Sequence, residues 1–226
     1  MNAATELLQL SGPAGVIDVA LDRPAGPPRG LALIAHPHPL YGGTRDNKVA
    51  QTLARALVAL NHVCWRPNFR GVGASEGSHD DGIGETDDLL ALLDAARAHA
   101  SLAGLNAVPL VLAGFSFGAY VQVRLAAELA ARGEPPPRMV LVGPAASRFP
   151  LGKVPADTLV IHGETDDVVP LTAVLDWARP QDLPVVVIPG ADHFFHRRLP
   201  LLRQLVQRWM AGAASGASEA PDYNQD

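Results

Sequence analysis

The chain has 226 residues, 48% of them hydrophobic, and a formal net charge of −5. That size and composition suit one globular domain with a sizeable core and exclude a fibrous or wholly disordered chain. The acidic balance leaves no basic field to draw in a phosphate backbone or an anionic bilayer, so neither nucleic acid nor a membrane surface is an expected partner.

Residues 1–10 lack the basic start and apolar run of a secretory signal, and no later stretch reaches eighteen unbroken apolar residues, so the expected location is the cytoplasm. Segments 6–10 and 16–21, parted by a Gly and Pro turn, predict an antiparallel hairpin at a sheet edge. Short runs rich in Val, Leu and Ile predict buried strands at 31–35, 62–67, 108–113, 139–142, 158–162 and 184–188. Helical spacing occupies 47–60, 84–100, 118–132, 171–178 and 199–210. Such alternation predicts an α/β domain over residues 1–210, a mostly parallel sheet with helices on both faces. Only fifteen residues, rich in Gly and Pro, separate 142 from 158, too few for an inserted helical lid. Residues 211–226 lack apolar periodicity and read as a mobile C-terminal tail. The single cysteine, Cys64, falls in a strand run and reads as a small buried hydrophobe.

The pattern G-x-S-x-G occurs twice, at Gly73-Ala74-Ser75-Glu76-Gly77 and at Gly114-Phe115-Ser116-Phe117-Gly118. A nucleophilic serine of this kind needs a strand running straight into a helix. The sharp turn lifts the hydroxyl above the sheet, aims the next N–H groups at a developing oxyanion, and needs small flanking residues to relieve crowding. Ser116 has the strand before it and a helical pattern after it, whereas Ser75 lies in a Gly-rich stretch with no helix signal until about Gly84. Ser116 is therefore the expected nucleophile and Ser75 a loop residue, the alternative for Ser116 being a simple helix cap.

Serine alone is a weak nucleophile and needs a base oriented by an acid. After the 158–162 run come Glu164, Asp166 and Asp167, all at the strand's C-terminal end on the rim where Ser116 is expected. Local chemistry leaves the acid open among the three, with Asp167 a candidate to cap the helix near Pro170. The 184–188 run leads into Ala191-Asp192-His193-Phe194-Phe195-His196. His193 is the expected base, because it follows the strand closely and two aromatics stand ready to fix its loop. His196, nearer the final helix, is the rival.

Taken together these motifs resemble the α/β-hydrolase superfamily, and within it the small lidless bacterial serine hydrolases related to dienelactone hydrolase and carboxylesterases. The resemblance spans residues 14–210. It is strongest at His36-Pro37-His38-Pro39-Leu40-Tyr41-Gly42-Gly43-Thr44-Arg45-Asp46-Asn47-Lys48, and continues at Asn68-Phe69-Arg70-Gly71-Val72-Gly73-Ala74-Ser75-Glu76-Gly77, at Gly84-Glu85 and in the H-G-x-x-D-x-V-V-P pattern ending at Pro170. The last of these assigns the acid to Asp166.

The resemblance implies acyl transfer by Ser116, His193 and Asp166, acting without a cofactor on small esters. Thioesters, lactones and amides would suit the same three groups, and a non-catalytic scaffold of the same fold is the alternative of a different kind. The oxyanion would be held by the backbone N–H of Phe117 and by that of His38 or Leu40, since Pro37 and Pro39 have none. His36 and His38 lack a neighbouring carboxylate or cysteine and read as structural or substrate-facing rather than as metal ligands. Arg70 reads as a loop tie, with contact to an anionic substrate as the alternative. The expected partner is a small molecule, with the chain a monomer or small homo-oligomer.

Overall fold

The computed structural model describes residues 5–102 and 109–215. Within them eight strands form one sheet: β1 (Thr5–Gly12), β2 (Gly15–Asp22), β3 (Gly30–Ala35), β4 (His62–Pro67), β5 (Leu110–Phe115), β6 (Arg138–Val142), β7 (Thr158–Gly163) and β8 (Val185–Ile188). Their spatial order is β1-β2-β4-β3-β5-β6-β7-β8. The pairs β1–β2 and β2–β4 are antiparallel, and all others are parallel. The predicted hairpin is therefore present at the edge, closed by Gly15 at φ 111°, a conformation that glycine adopts without steric cost.

Among the described residues five helices cover the sheet: α1 (Lys48–Val58), α2 (Ile83–Leu102), α3 (Phe117–Ala131), α4 (Leu171–Ala178) and α5 (Leu199–Ser215). Helices α2 and α3 bury Leu89, Leu93, Val121 and Leu125 on one face, with Leu31, Leu33 and Leu112 of the strands. On the other face α1 and α5 bury Leu53, Leu57, Leu202 and Val206 against Ala32, Ile34, Val111 and Ala113. Successive strand residues point to opposite faces and both faces are covered, which is why the central strands read as unbroken apolar runs. Cys64 is free and buried in the second cluster, its thiol pushed well above the usual range by burial.

Element ends differ from the sequence reading by a few residues, and two of the differences matter. Strand β5 runs on to Phe115, immediately before Ser116, and Val108 lies outside the described residues. Helix α5 continues through 211–215, where the sequence reading began a tail. Alanine and its neighbours there extend an existing helix without needing apolar spacing. The remainder of that tail, 216–226, lies outside the described residues. Between β6 and β7 residues 143–157 form turns and extended chain with no helix, so nothing is inserted there as a lid. Among the described residues no helix is long and apolar enough to cross a membrane.

The second G-x-S-x-G copy is a structural tie. Ser75 is buried, its Oγ accepting from the Asp18 N–H at 2.9 Å and donating to the Asn68 carbonyl at 2.8 Å. Asp18 also accepts from Asn68 Nδ2 at 2.9 Å and pairs with Arg45 at 2.5 Å. Burial opposes the charge on Asp18, but Arg45 and Asn68 outweigh it and hold the carboxyl below its ordinary range. Replacing Ser75 by Ala orphans a buried N–H, so stability should fall by about 1–3 kcal/mol. Thermal melts should show about 2–4 °C lost per kcal/mol in a chain of this size. Activity should persist below the new Tm.

Candidate active site

Strand β5 ends at Phe115 and helix α3 starts at Phe117, so the whole change of direction falls on Ser116. Its backbone sits at φ 56° and ψ −118°, a conformation costing a non-glycine residue about 1–3 kcal/mol. The turn is held by the Ser116 N–H donating to the Val142 carbonyl at 2.9 Å and by its own carbonyl accepting from Ala119 at 3.0 Å. The flanking glycines are sterically required. A Cβ at Gly114 would strike the Gly118 carbonyl, and one at Gly118 would strike the carbonyls of Ala35 and His36 at the end of β3.

Two loops on the same rim are stitched together. The Glu164 N–H donates to the Ile188 carbonyl at 3.1 Å, the Thr165 N–H and hydroxyl both reach the Ala191 carbonyl at 3.0 Å, and the Gly190 N–H donates to Glu164 Oε2 at 2.8 Å. These bonds set Asp166, after β7, beside His193, after β8. Asp166 Oδ2 lies 2.7 Å from His193 Nδ1, and His193 Nε2 lies 3.1 Å from Ser116 Oγ. The other carboxylate oxygen, Oδ1, accepts from the N–H groups of Val168 at 3.0 Å and Val169 at 2.7 Å. Burial works against ionisation of Asp166, but the hydrogen bonds from His193 and Val169 outweigh it and hold the carboxyl below its ordinary range. Each partner thus orients the next: the amides fix the carboxylate, the carboxylate fixes the ring, and the ring faces the hydroxyl.

The competing residues sit elsewhere. Glu164 is exposed and spent on the loop stitch. Asp167 is exposed and does not cap α4, whose N-cap position is Pro170 without a side-chain bond; three residues upstream, Asp167 is too early to reach the first free amides. His196 is exposed and bonded to Asp192 at 2.6 Å. Of the two aromatics, Phe195 is fully buried and anchors the His193 loop, whereas Phe194 is part-exposed and lines the cavity over Ser116.

The loop after β3 has an internal scaffold. His36 is buried with both ring nitrogens engaged: Nδ1–H donates to the Pro37 carbonyl at 2.6 Å and Nε2 accepts from the Phe69 N–H at 2.9 Å. His38 caps a single 3₁₀ turn, its Nδ1 accepting from the Leu40 N–H at 3.3 Å. The Leu40 amide is therefore engaged, and its side chain is 70% exposed. The amides of His38 and Phe117 donate to no group among the described residues. Arg70 is gripped by both oxygens of Asp88 at 2.8 Å each, which makes it a loop tie. Glu85, fully buried, accepts from the N–H groups of Asp80 at 3.0 Å and Gly82 at 2.8 Å and meets His79 Nδ1 at 2.9 Å. No group of three or more His, Cys, Asp or Glu side chains among the described residues is placed to hold a metal ion.

Over Ser116 opens a cavity of about 300 Å³, mainly apolar, walled by Phe117, Phe149, Val168 and Phe194. Sequence reasoning missed Arg148 and Phe149 on its wall. They lie in the pattern-free stretch between β6 and β7, where no periodicity places a side chain, and the only available signal was its short length.

No family model matches the chain. A solved structure from Xanthomonas campestris, an α/β serine hydrolase without a lid, is 37% identical, covers 98% of this chain and 99% of its own, and superposes with a TM-score of 0.83. An α/β serine hydrolase homologue from Coxiella burnetii is 39% identical over 92% of this chain and 97% of its own, with a TM-score of 0.76. An uncharacterised protein of Rickettsia prowazekii is 28% identical over 97% of this chain and 94% of its own length.

Burial pushes the His36 imidazole down to about 4, despite its bond to Pro37. A folded-state value below the unfolded one near 6.5 means that the neutral ring favours folding. That contribution is complete above pH 6.5, declines as the pH falls, and is lost by about pH 4, on the order of 3 kcal/mol in all. Urea midpoints measured from pH 7 to pH 4 should therefore fall more steeply for the wild type than for His36→Gln.

Proposed function

The chain belongs to the α/β-hydrolase superfamily, among its serine hydrolases without a lid, and on that premise we propose that it hydrolyses small carboxylic esters through an acyl-enzyme on Ser116. The carrying observation is the unbroken line from Ser116 Oγ to His193 at 3.1 Å and on to Asp166 at 2.7 Å, at the base of an open apolar cavity.

His193 Nε2 takes the hydroxyl proton as Ser116 Oγ attacks the ester carbonyl carbon, and Asp166 stabilises the imidazolium that forms. The proton then passes to the leaving alcohol as the C–O bond breaks. Water enters, is deprotonated by His193, attacks the acyl carbon, and releases the acid with Ser116 restored. The oxyanion of each tetrahedral intermediate is held by two backbone N–H groups. Phe117 supplies one, since the first amide of a helix has no acceptor within it. Because Leu40 donates to the His38 ring, the His38 amide is the second. The cytoplasm remains the proposed location.

Ser116→Ala should fold normally and lose about four or more orders of magnitude in kcat on short 4-nitrophenyl esters. It should also escape labelling by a fluorophosphonate probe that modifies the wild type; a wild type that neither labels nor turns over esters would identify a catalytically inert scaffold. His38 has φ −53°, which suits proline, so His38→Pro deletes the N–H with little change in local shape. Measured against His38→Ala, which keeps the amide, His38→Pro should lose a further factor of about 10²–10³ in kcat.

A further inference from the structure

The wall of the cavity over Ser116 carries one permanently charged group, Arg148, and no Asp or Glu. Arg45, Arg66 and Arg70, which tie loops, are each committed to a carboxylate, those of Asp18, Asp22 and Asp88. Arg148 joins no ion pair among the described residues and is exposed at the cavity mouth. Its guanidinium carbon lies 6.0 Å from the centre of the Tyr41 ring, across the cavity entrance from the loop after β3.

The backbone beneath Arg148 is held in place. The N–H groups of Arg148 and Phe149 both donate to the Ala145 carbonyl, at 3.1 and 3.0 Å, closing a tight turn. Phe149 stacks on Tyr120 at 4.7 Å and packs on Phe117 at 5.2 Å, so the turn is anchored to the first residues of α3. A cation is thus presented at a set place on the rim of a pocket whose other walls are mainly apolar.

Resting on the ester-hydrolase reading above, we infer that the preferred substrates are esters carrying a carboxylate on the acyl or alcohol part, and that Arg148 selects them by pairing with that carboxylate. A guanidinium presents parallel N–H groups that match a carboxylate's two oxygens, and neither a neutral ester nor a competing side chain of the wall offers that partner. The apolar walls receive the hydrocarbon between the carboxylate and the scissile bond. Arg148 is a specificity-determining residue that does not touch the reacting atoms.

Two matched pairs of esters test this. One places the carboxylate on the acyl part, 4-nitrophenyl hemiglutarate against 4-nitrophenyl valerate; the other places it on the alcohol, 4-carboxyphenyl butyrate against phenyl butyrate. The quantity read is the ratio of kcat/KM for the anionic ester to that for the neutral one, in the wild type, Arg148→Lys, Arg148→Gln and Arg148→Glu. In at least one pair the wild-type ratio should exceed that of Arg148→Gln by about 10-fold, within the range for a hydrogen bond to a charged group. Arg148→Lys should keep part of the preference, Arg148→Glu should reverse it, and 0.5 M NaCl should erode the wild-type ratio without moving that of Arg148→Gln. Equal ratios in wild type and Arg148→Gln for both pairs, with the neutral esters still hydrolysed, overturn the role of Arg148 and leave the hydrolase reading standing. Failure of the wild type to hydrolyse any of the four esters overturns both.

Discussion

How closely helix α3 can approach the end of β3 governs the geometry of everything above it. The first turn of that helix lies against the Ala35 and His36 carbonyls, and only a residue without a side chain fits at Gly118. This contact drives the chain through a left-handed conformation at Ser116 and raises its hydroxyl clear of the sheet. It also brings the first amide of α3 alongside the loop that starts at His36, so the candidate nucleophile and candidate oxyanion donors come from one packing event. The strain at Ser116 persists because strand pairing on both sides of β5 over-determines it.

Around this centre the loops are tied down by buried polar groups whose partners are nearly all internal. Asp18 gathers Arg45, Asn68 and the Ser75 tie, Arg66 joins Asp22 at 2.7 Å, and Glu85 holds the start of α2. A buried charge left alone would cost several kcal/mol, so each of these pairs fixes its loop in one arrangement as the condition of being buried at all. His36 does the same with a neutral ring, bridging the loops after β3 and β4. The rim is rigid for electrostatic reasons, and the cavity it surrounds can stay open without a lid.

Openness shifts the burden of selectivity. A covered pocket recognises a ligand by enclosing it, whereas here Tyr41, Val168 and Phe194 remain part-exposed at the mouth. An acyl group on Ser116 would be open to water, which suits the proposed hydrolysis, and recognition would fall to the few groups that stand on the rim.

How much of this was legible in the residues depends on range. The alternation of strand and helix, the edge hairpin and the choice of Ser116 over Ser75 could all be read locally, because backbone periodicity and the steric demands of a strand-to-helix turn act over a few neighbours. The candidate acid is different: Glu164, Asp166 and Asp167 are equivalent in local chemistry, and only the resemblance to known hydrolases singles out Asp166. Hydrogen bonds across 27 residues to His193, and the stitch that occupies Glu164, separate them in space. The engagement of the Leu40 amide, the distinct fates of Phe194 and Phe195, and the position of Arg148 belong to the same class. Each depends on which groups from distant segments meet once the sheet has closed, and side-chain partnership at long range leaves no periodic trace along a chain.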